Sequence, residues 1–557
     1  MRPRLGVLVL CLLPVLARAQ VSTSAEKAAA RGIDAGSLRA HVGFLASDLL
    51  EGRGPGTRGD ALAQQYLATQ FQLLGLEPAG PGGSYLQPFE LVGITGHPET
   101  LALRSPRGPL ALKFHEDFIA VSGVQAPEAV LEGSELVFVG YGIQAPEYGW
   151  DDFKGKDLRG KTLLILNNDP EDDPKLFGGR ARLWYGRWDY KYEQAARVGA
   201  AGVLILHTTQ SAGYPWQVVQ ASWSGEQFEI PAQGEAHRVQ VKGWVTEEAA
   251  RRVVRLSGQD LDTLRAMAQK RDFQPVPLGL EVSTRFTNQV RRRPTANVLG
   301  LLRGSDAALS QEVVLYTAHH DHLGLKEDAK PGEDTIYNGA VDNASGVAAM
   351  LEVARAFTRL PKPPARSILF AAVAAEEQGL LGSQYLAEHL PVPTGRVAAN
   401  LNIDGLNIHG RTRDVTAIGL GKSSLDGPLI ALAQAQGRVV KPDQLPDRGF
   451  FYRSDQFSFA RLGIPAAYFS SGMDFIGQPP GWGKARREQW ESQHYHQPSD
   501  ELRPDWNLSG AVEDVRLHFL LGAHVARVRP LPRWNPGDEF EAPRRRALEA
   551  LKATGPR

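Results

Sequence analysis

The stretch SILFAAVAAEEQGLLGS, residues 367–383, decides the fold. Residues 368–375 are all apolar or small, and they end at the adjacent carboxylates of Glu376 and Glu377. A short apolar run of this kind predicts a buried β-strand. Charge that emerges from a buried strand is costly unless a cation compensates it. The stretch therefore predicts a strand that delivers two carboxylates to a cation site.

Strands and helices alternate on both sides of this stretch. Residues 312–320 (EVVLYTAHH), 397–404 (VAANLNID) and 464–469 (IPAAYF) predict further strands, and residues 347–357 (VAAMLEVARAF) predict a helix. This alternation predicts an α/β fold with a mixed, mostly parallel sheet flanked by helices. In such sheets ligands bind beyond the carboxyl ends of the strands.

Metal-ligand side chains stand at or near these strand ends. The set is His319, Asp342, Glu377, Asp404 and His496. Each residue alone has an ordinary explanation, such as a rim histidine or a helix N-cap, but their joint occurrence favours a metal site. One carboxylate is left over to act as a base, and the carboxylate of Asp321 is placed to accept the second ring N–H of His319.

These parts fit metal-activated hydrolysis. Two zinc ions carry four positive charges against three ligand carboxylates, so a water between them would be hydroxide near neutral pH. The carboxylate left over as a base would take its proton and return it to the leaving amine. A free substrate α-amine could displace water from one metal, which predicts removal of N-terminal residues.

The length and composition of the chain limit the number of domains and the kinds of partner. A chain of 557 residues exceeds the usual single domain, so a second domain or an insertion is expected. Lys+Arg and Asp+Glu are equal at 62 each, which gives no basic field for nucleic acid and favours a partner that is small or uncharged overall. Residues 130–207 alternate strand and helix patterns and predict a small separate β/α unit.

Residues 1–19 have the pattern of a secretory signal peptide, with small residues at Ala17 and Ala19. Cys11, the only cysteine, lies inside this segment, so the mature chain could form no disulfide. A lipoprotein anchor at Cys11 is the alternative, but the apolar run continues to Leu16. No later stretch approaches about 20 apolar residues, so we expect no membrane span and an exported, periplasmic or extracellular protein.

The motifs AHHDHLG, VDNASG, AAEEQGLLGS, NID and YHQPSDEL occur in this order and resemble the co-catalytic di-zinc exopeptidases of clan MH, of the bacterial leucyl aminopeptidase and aminopeptidase Y type. LVFVGYGIQAPEYGWDDFKGKDLRGKTLLILNNDP resembles the protease-associated (PA) domain inserted in many members. The implied division is a peptidase domain over 36–129 and 280–530, a PA-like insert over 130–270 and a C-terminal tail over 531–557.

The resemblance also implies roles for the site residues. His319 and Asp404 would complete one zinc site, Glu377 and His496 the other, and Asp342 would bridge the two zinc ions of each chain. Glu376 would be the general base, Asp321 would orient His319, and Tyr495 would polarise the scissile carbonyl. The Asp342–Asn343 peptide would be cis.

The implied activity is that of a zinc aminopeptidase. A carboxypeptidase or a glutaminyl cyclase of the same clan, or a non-catalytic binding module, are the alternatives. Cyclases retain one metal and receptor-like relatives lose ligands, whereas this chain fills all five ligand positions. It departs from many relatives at His320, where they carry a bulky residue, and at Gln456, where they carry histidine.

Overall fold

The computed structural model describes residues 21–171, 173, 175–179, 181–232, 234, 237–326 and 330–553. The signal peptide predicted at residues 1–19 and the last residues of the predicted tail, 554–557, lie outside this set. Among the described residues, no helix combines the length and apolar character that crossing a membrane requires.

Strands and α-helices are numbered separately, each in chain order. The strands are β1 (Glu77–Pro78), β2 (Leu86–Pro98), β3 (Leu101–Ser105), β4 (Gly108–Leu112), β5 (Phe118–Ser122), β6 (Glu128–Phe138), β7 (Gln144–Ala145), β8 (Trp150–Asp151), β9 (Thr162–Leu166), β10 (Gly202–His207), β11 (Gln227–Glu229), β12 (Val241–Thr246), β13 (Val276–Leu302), β14 (Val313–His319), β15 (Gly324–Leu325), β16 (Ile336–Tyr337), β17 (Ser367–Val373), β18 (Val397–Asn402), β19 (Asp414–Ile418), β20 (Val439–Pro442) and β21 (Ala466–Ser471). The α-helices are α1 (Ser24–Arg31), α2 (Ala35–Leu45), α3 (Arg58–Leu73), α4 (Trp188–Arg197), α5 (Thr209–Ala212), α6 (Trp216–Ser222), α7 (Glu247–Ser257), α8 (Leu261–Ala268), α9 (Gly346–Thr358), α10 (Leu381–Glu388), α11 (Asp426–Ala435), α12 (Gln456–Ala460), α13 (Trp482–Gln493), α14 (Ser509–Arg527) and α15 (Glu541–Ala553).

The main sheet is mixed, and its four central strands run parallel in the order β17, β14, β18, β21. β13 pairs antiparallel with β17 at one side, and β19 pairs antiparallel with β21 at the other, followed by β20. Every residue of β14, β17 and β18 is buried, as expected for parallel strands covered on both faces. The predicted α/β fold with helices around a largely parallel sheet is confirmed.

Helices cover both faces of this sheet. The first three helices pack with α9, α11 and α14 on one face around a large apolar cluster. The side chains of α10 and α12 pack against the other face, where Leu315, Leu369 and Phe459 are buried. Alanines at four positions of α9, among them Ala348 and Ala349, are almost completely buried, which lets this helix lie close to the strands. The central strands are therefore buried between two layers of helices.

A second β/α unit precedes the main sheet in sequence. Its strands β6, β9, β10 and β12 are parallel neighbours, and β5 closes the edge antiparallel to β12. Helices α4, α7 and α8 contribute buried residues to this unit. It contains the β/α pattern that the sequence predicts for residues 130–207.

The two units share backbone and core. β2 pairs with β13 from Leu86↔Val298 to Pro98↔Phe286, and β13 continues at its ends into pairings with β17 and β6. One apolar cluster also contains side chains from both units, including Trp184 of the second unit and Phe457 of the main one. Their rings lie 4.6 Å apart. The second unit is therefore fixed directly beside the main sheet.

Candidate metal centre

The five predicted ligands converge at the carboxyl ends of the central strands. His319 is the last residue of β14, Glu377 follows β17 and Asp404 follows β18. Asp342 lies in the irregular, non-helical turn that precedes α9, and His496 lies just beyond α13. The parallel order of the strands brings together side chains that are far apart in sequence.

Two groups of ligand atoms share one carboxylate. His319 Nε2 lies 3.2 Å from Asp342 Oδ1 and 3.4 Å from Asp404 Oδ1. His496 Nε2 lies 3.3 Å from Asp342 Oδ2 and 3.0 Å from Glu377 Oε2. The two oxygens of Asp342 thus face different histidines, which is the arrangement of a bridging carboxylate. The Asp342–Asn343 peptide is cis.

These separations suit zinc. Nitrogen and oxygen ligands at about 2.0–2.1 Å around a tetrahedral zinc ion lie about 3.3 Å from one another. His496 Nε2 is buried and has no hydrogen-bond partner among the described residues, although two carboxylates face it. A ring nitrogen that faces carboxylates without bonding to them is suited to a cation between them. The donor set of nitrogens and carboxylate oxygens therefore fits two zinc ions.

The electrostatics of the site favour positive charge. Burial lowers the pKa of His496, but Glu377 and Asp342 outweigh burial and raise it to about 10. Burial also opposes protonation of His319, yet Glu376, Asp342 and Asp404 hold its pKa well above the usual range. The carboxylates thus draw positive charge to both ring nitrogens, where metal ions would replace the protons.

Glu376 lies beside the ligand atoms but outside the two groups that share Asp342. Its carboxylate comes within 4.8 Å of ligand atoms of His319 and Glu377. Burial raises the pKa of Glu376 well above its usual value, His319 acts in the opposite direction, and Glu377 and Asp404 raise it further. The side chain is therefore a carboxylate with high proton affinity next to the candidate metal positions.

Asp321 lies beneath the ligands and is completely buried. Its two carboxylate oxygens accept hydrogen bonds from the main-chain N–H groups of Glu376 (3.1 Å) and Glu377 (3.3 Å). His319 Nδ1 lies 3.3 Å from the main-chain oxygen of Asp321 and 3.7 Å from its Oδ1. Asp321 therefore contacts both the predicted base and two predicted ligands.

Tyr495 lies at the surface of the site. Its ring stacks on His496 with centroids 3.8 Å apart and is tilted against Trp490 at 5.9 Å. The side chain is 38% exposed, and none of the described residues hydrogen-bonds to its hydroxyl group. The hydroxyl is thus free to meet a molecule that enters the site.

Three further residues support the ligands, and the sequence did not single them out. His322 Nδ1 lies 2.6 Å from Glu377 Oε1, Ser454 Oγ donates to Asp404 Oδ2 at 2.6 Å, and Asp500 accepts from the main-chain N–H of Asp342 at 3.1 Å. His322 and Asp500 stand in two of the motifs quoted above. The motifs AHHDHLG and YHQPSDEL therefore pointed to this region, but they did not indicate which residue next to a ligand would face the site.

Replacing His322 with leucine is expected to weaken zinc binding by about 10- to 100-fold, because partners that orient a ligand commonly contribute this much. The variant leaves Glu377 Oε1 without its buried partner. Titration of the metal-free protein with zinc in the presence of a competing chelator measures the effect. His97→Leu, at an exposed position of β2, is the matched control and should bind zinc as the parent does. Equal affinities of the two variants would show that His322 does not support the ligand.

The site lies in the part of the chain that matches a known protein family. Residues 297–520 match the model of Peptidase family M28, and this segment contains all five predicted ligands together with Glu376, Asp321 and Tyr495. The second β/α unit lies before the matched segment.

Curated proteins and solved structures match different shares of the chain. Aminopeptidase NAALADL1 of Mus musculus is 35% identical over 140 residues, 24% of this chain and 17% of that protein. Aminopeptidase YwaD of Bacillus subtilis (strain 168) is 28% identical over 220 residues, 39% of this chain and 41% of that protein. The matches thus span less than half the length of these relatives. The structure of an aminopeptidase from Aneurinibacillus sp. strain AM-1 covers 91% of this chain and 97% of its own, with 20% identity and a TM-score of 0.47.

Proposed function

We propose that this protein is a zinc-dependent aminopeptidase that holds two zinc ions per chain. The observation that carries the proposal is the pair of ligand groups around Asp342, whose two oxygens face His319 and His496 at 3.2 and 3.3 Å. A single tetrahedral metal does not need five such ligands. The match of residues 297–520 to Peptidase family M28 supports the same reaction class.

His319 and Asp404 would hold one zinc ion, Glu377 and His496 the other, and Asp342 both. When bound, the two ions would supply a Lewis acid for the scissile carbonyl group and would acidify a water molecule. The chain itself supplies the proton transfer. The Glu376 carboxylate, which lies beside His319 of one ligand group and Glu377 of the other, would accept a proton from the attacking water and deliver it to the leaving amine.

The remaining predicted residues would position the reaction. Asp321 would fix the main chain of Glu376 and Glu377 through its two N–H···O hydrogen bonds and would keep His319 in one tautomer. Tyr495, whose hydroxyl group has no partner among the described residues, would donate to the carbonyl oxygen as negative charge develops there.

The natural substrates would be peptides with a free α-amine, because that group can bind one metal and meet the surrounding carboxylates. We also propose that residues 130–270 form a PA-like insert beside the peptidase domain and that residues 1–19 direct export to the periplasm or the extracellular space. An exported peptidase without disulfides would act on peptides outside the cytoplasm.

Hydrolysis of a matched peptide panel tests this function. Acetylating the N-terminus of a short peptide should remove most of kcat/KM, because the amine can no longer bind metal, whereas amidating the C-terminus should change kcat/KM little. The zinc-loaded protein is assayed on both peptides and on the unmodified parent, and elemental analysis gives the zinc content.

The opposite pattern, tolerance of a blocked amine and dependence on a free carboxylate, would identify a carboxypeptidase. Conversion of an N-terminal glutamine to pyroglutamate with release of ammonia and an intact peptide chain, by a protein with one tightly held metal, would identify a glutaminyl cyclase. A zinc-loaded protein that binds peptides and cleaves none would be a binding module.

A further inference from the structure

Arg53 is a fully buried arginine that lies among the loops of the metal centre. It stands in the glycine-rich segment GRGPGTRG, residues 52–59, and is only 1% exposed. The main chain of this segment packs directly against the main chain near Gly324. Gly52 has a φ of +68°, and a Cβ added there would lie only 2.3 Å from the main-chain oxygen of Gly324. Arg53 itself has a φ of +50°, a conformation that side-chain contacts must hold in place.

The guanidinium group of Arg53 joins two loops that carry metal ligands. Nε donates to the main-chain oxygen of His320 at 2.8 Å, directly after the ligand His319. Nη1 donates to the oxygen of Asn338 at 2.7 Å and Nη2 to that of Gly339 at 3.0 Å, just before Asp342. Nη1 also donates to the main-chain oxygen at the end of α2. One side chain therefore fixes the relative positions of the first ligand loop and the bridging-ligand loop.

The loop before Asp342 is held from the opposite side by Asp500. The carboxylate of Asp500 accepts from the main-chain N–H groups of Val341 at 3.0 Å and Asp342 at 3.1 Å. Arg53 thus binds the carbonyl groups of this loop and Asp500 binds its N–H groups. Between them, Arg53 and Asp500 satisfy four main-chain polar groups of the loop that leads to Asp342.

Arg53 also adds a fixed positive charge beneath the carboxylates. Burial lowers its pKa to about 10, and Asp321, Asp500, Asp342 and Glu377 act in the opposite direction, so that it stays protonated at neutral pH. A buried arginine among carboxylates lowers the cost of keeping them ionised before metal binds. Its rigid, planar fork of donors is suited to several carbonyl groups at once, which a lysine cannot reproduce.

We propose that Arg53 is a positioning residue of the metal centre, which holds the loops of His319 and Asp342 in the geometry that binds two metal ions. The inference rests on the proposed function, because it concerns the same two ions. The proposal gives the segment GRGPGTRG a role in metal affinity in addition to its role in packing.

The test compares Arg53→Met with Arg366→Met. Arg366 is also fully buried and bonds to main-chain carbonyl groups, those of Val525, Val528 and Arg529, but it lies at the start of β17, at the opposite end of that strand from Glu377. Both variants should lower the thermal midpoint of the metal-free protein. Only Arg53→Met should weaken the binding of Co²⁺ or Zn²⁺, by about 10- to 100-fold, and alter the absorption spectrum of the cobalt form.

Arg53→Lys provides a second, milder variant. It keeps the charge but loses the fork of donors, so we expect a smaller loss of metal affinity at nearly the parent's stability. If Arg53→Met does not fold, the metal affinity and the cobalt spectrum of Arg53→Lys test the proposal instead. Parental metal affinity and an unchanged cobalt spectrum in the folded Arg53 variants would overturn the inference. A parent protein that binds fewer than two metal ions would instead overturn the proposed function.

Discussion

Glu376→Gln is expected to lower kcat by at least about a hundredfold while both zinc ions stay bound and KM changes little. Glutamine has the size and shape of glutamate but cannot accept the proton of the attacking water. Glu376 is not a member of either ligand group around Asp342, and its main-chain N–H is held by Asp321 in parent and variant alike. Loss of kcat without loss of binding is the kinetic pattern of a group that acts only in the transition state.

Steady-state kinetics on a short unblocked peptide and elemental analysis of the same preparation measure the two effects together. Glu248→Gln is a matched control, since Glu247 and Glu248 form the other adjacent pair, at the exposed N-terminus of α7. It should leave both quantities unchanged. Near-normal turnover of Glu376→Gln would mean that another residue is the base.

Asp342→Ala is expected to abolish activity and to reduce affinity at both metal positions. The loss of zinc affinity should exceed the roughly 10- to 100-fold that is typical when a residue hydrogen-bonded to a ligand is removed. Asp342 is the ligand common to both groups, and each of its oxygens faces a different histidine. Removing it leaves both histidines with fewer ligands and takes away one of the carboxylates that draw cations to the site.

Zinc titration of the metal-free variants separates this effect from that of the terminal ligands. Asp404→Ala and Glu377→Ala should each weaken one of two binding events, whereas Asp342→Ala should weaken both. The control Asp157→Ala removes a solvent-exposed aspartate and should behave as the parent does. Two zinc ions held with parental affinity in Asp342→Ala would rule out a bridging carboxylate.

The sequence predicted the sheet and placed three of the candidate ligands at strand ends because both features depend on local pattern. Apolar runs that end in ligand-type residues, such as the one before Glu376, place those residues at strand ends. Parallel pairing then aligns the ends: β14 lies between β17 and β18, so His319 comes close to Glu377 and Asp404. No long-range information beyond strand order was needed for this part of the site.

The supporting residues could not be predicted in the same way. Arg53 and His320 are separated by 267 positions, and the groups that Arg53 binds are main-chain carbonyls, which carry no sequence signature. His322 stands in a motif with two other histidines, and only the turn of the chain after β14 decides that its ring faces Glu377. Such contacts depend on loop geometry that no residue pattern specifies.

The predicted tail, residues 531–557, also contributes more than its pattern indicated. Trp534 and Phe540 are buried in the apolar cluster that contains Tyr452. The Tyr452 hydroxyl donates to Glu539 at 2.5 Å. These contacts support the loop that leads to Ser454, whose hydroxyl bonds to Asp404. The segment before α15 lacks helical or strand periodicity, so its burial could not be deduced from spacing.

The paired strands β2 and β13 determine how the second β/α unit can move. Domains connected by flexible linkers pivot freely, and their clefts open and close as they do. In this protein the connection is an antiparallel ribbon that runs from Leu86↔Val298 to Pro98↔Phe286, reinforced by the contact between Trp184 and Phe457. A hinge in this ribbon would have to break ladder hydrogen bonds and separate a shared core. The shared strands and the shared core therefore hold the second unit in one position beside the main sheet, so the two units move as one body.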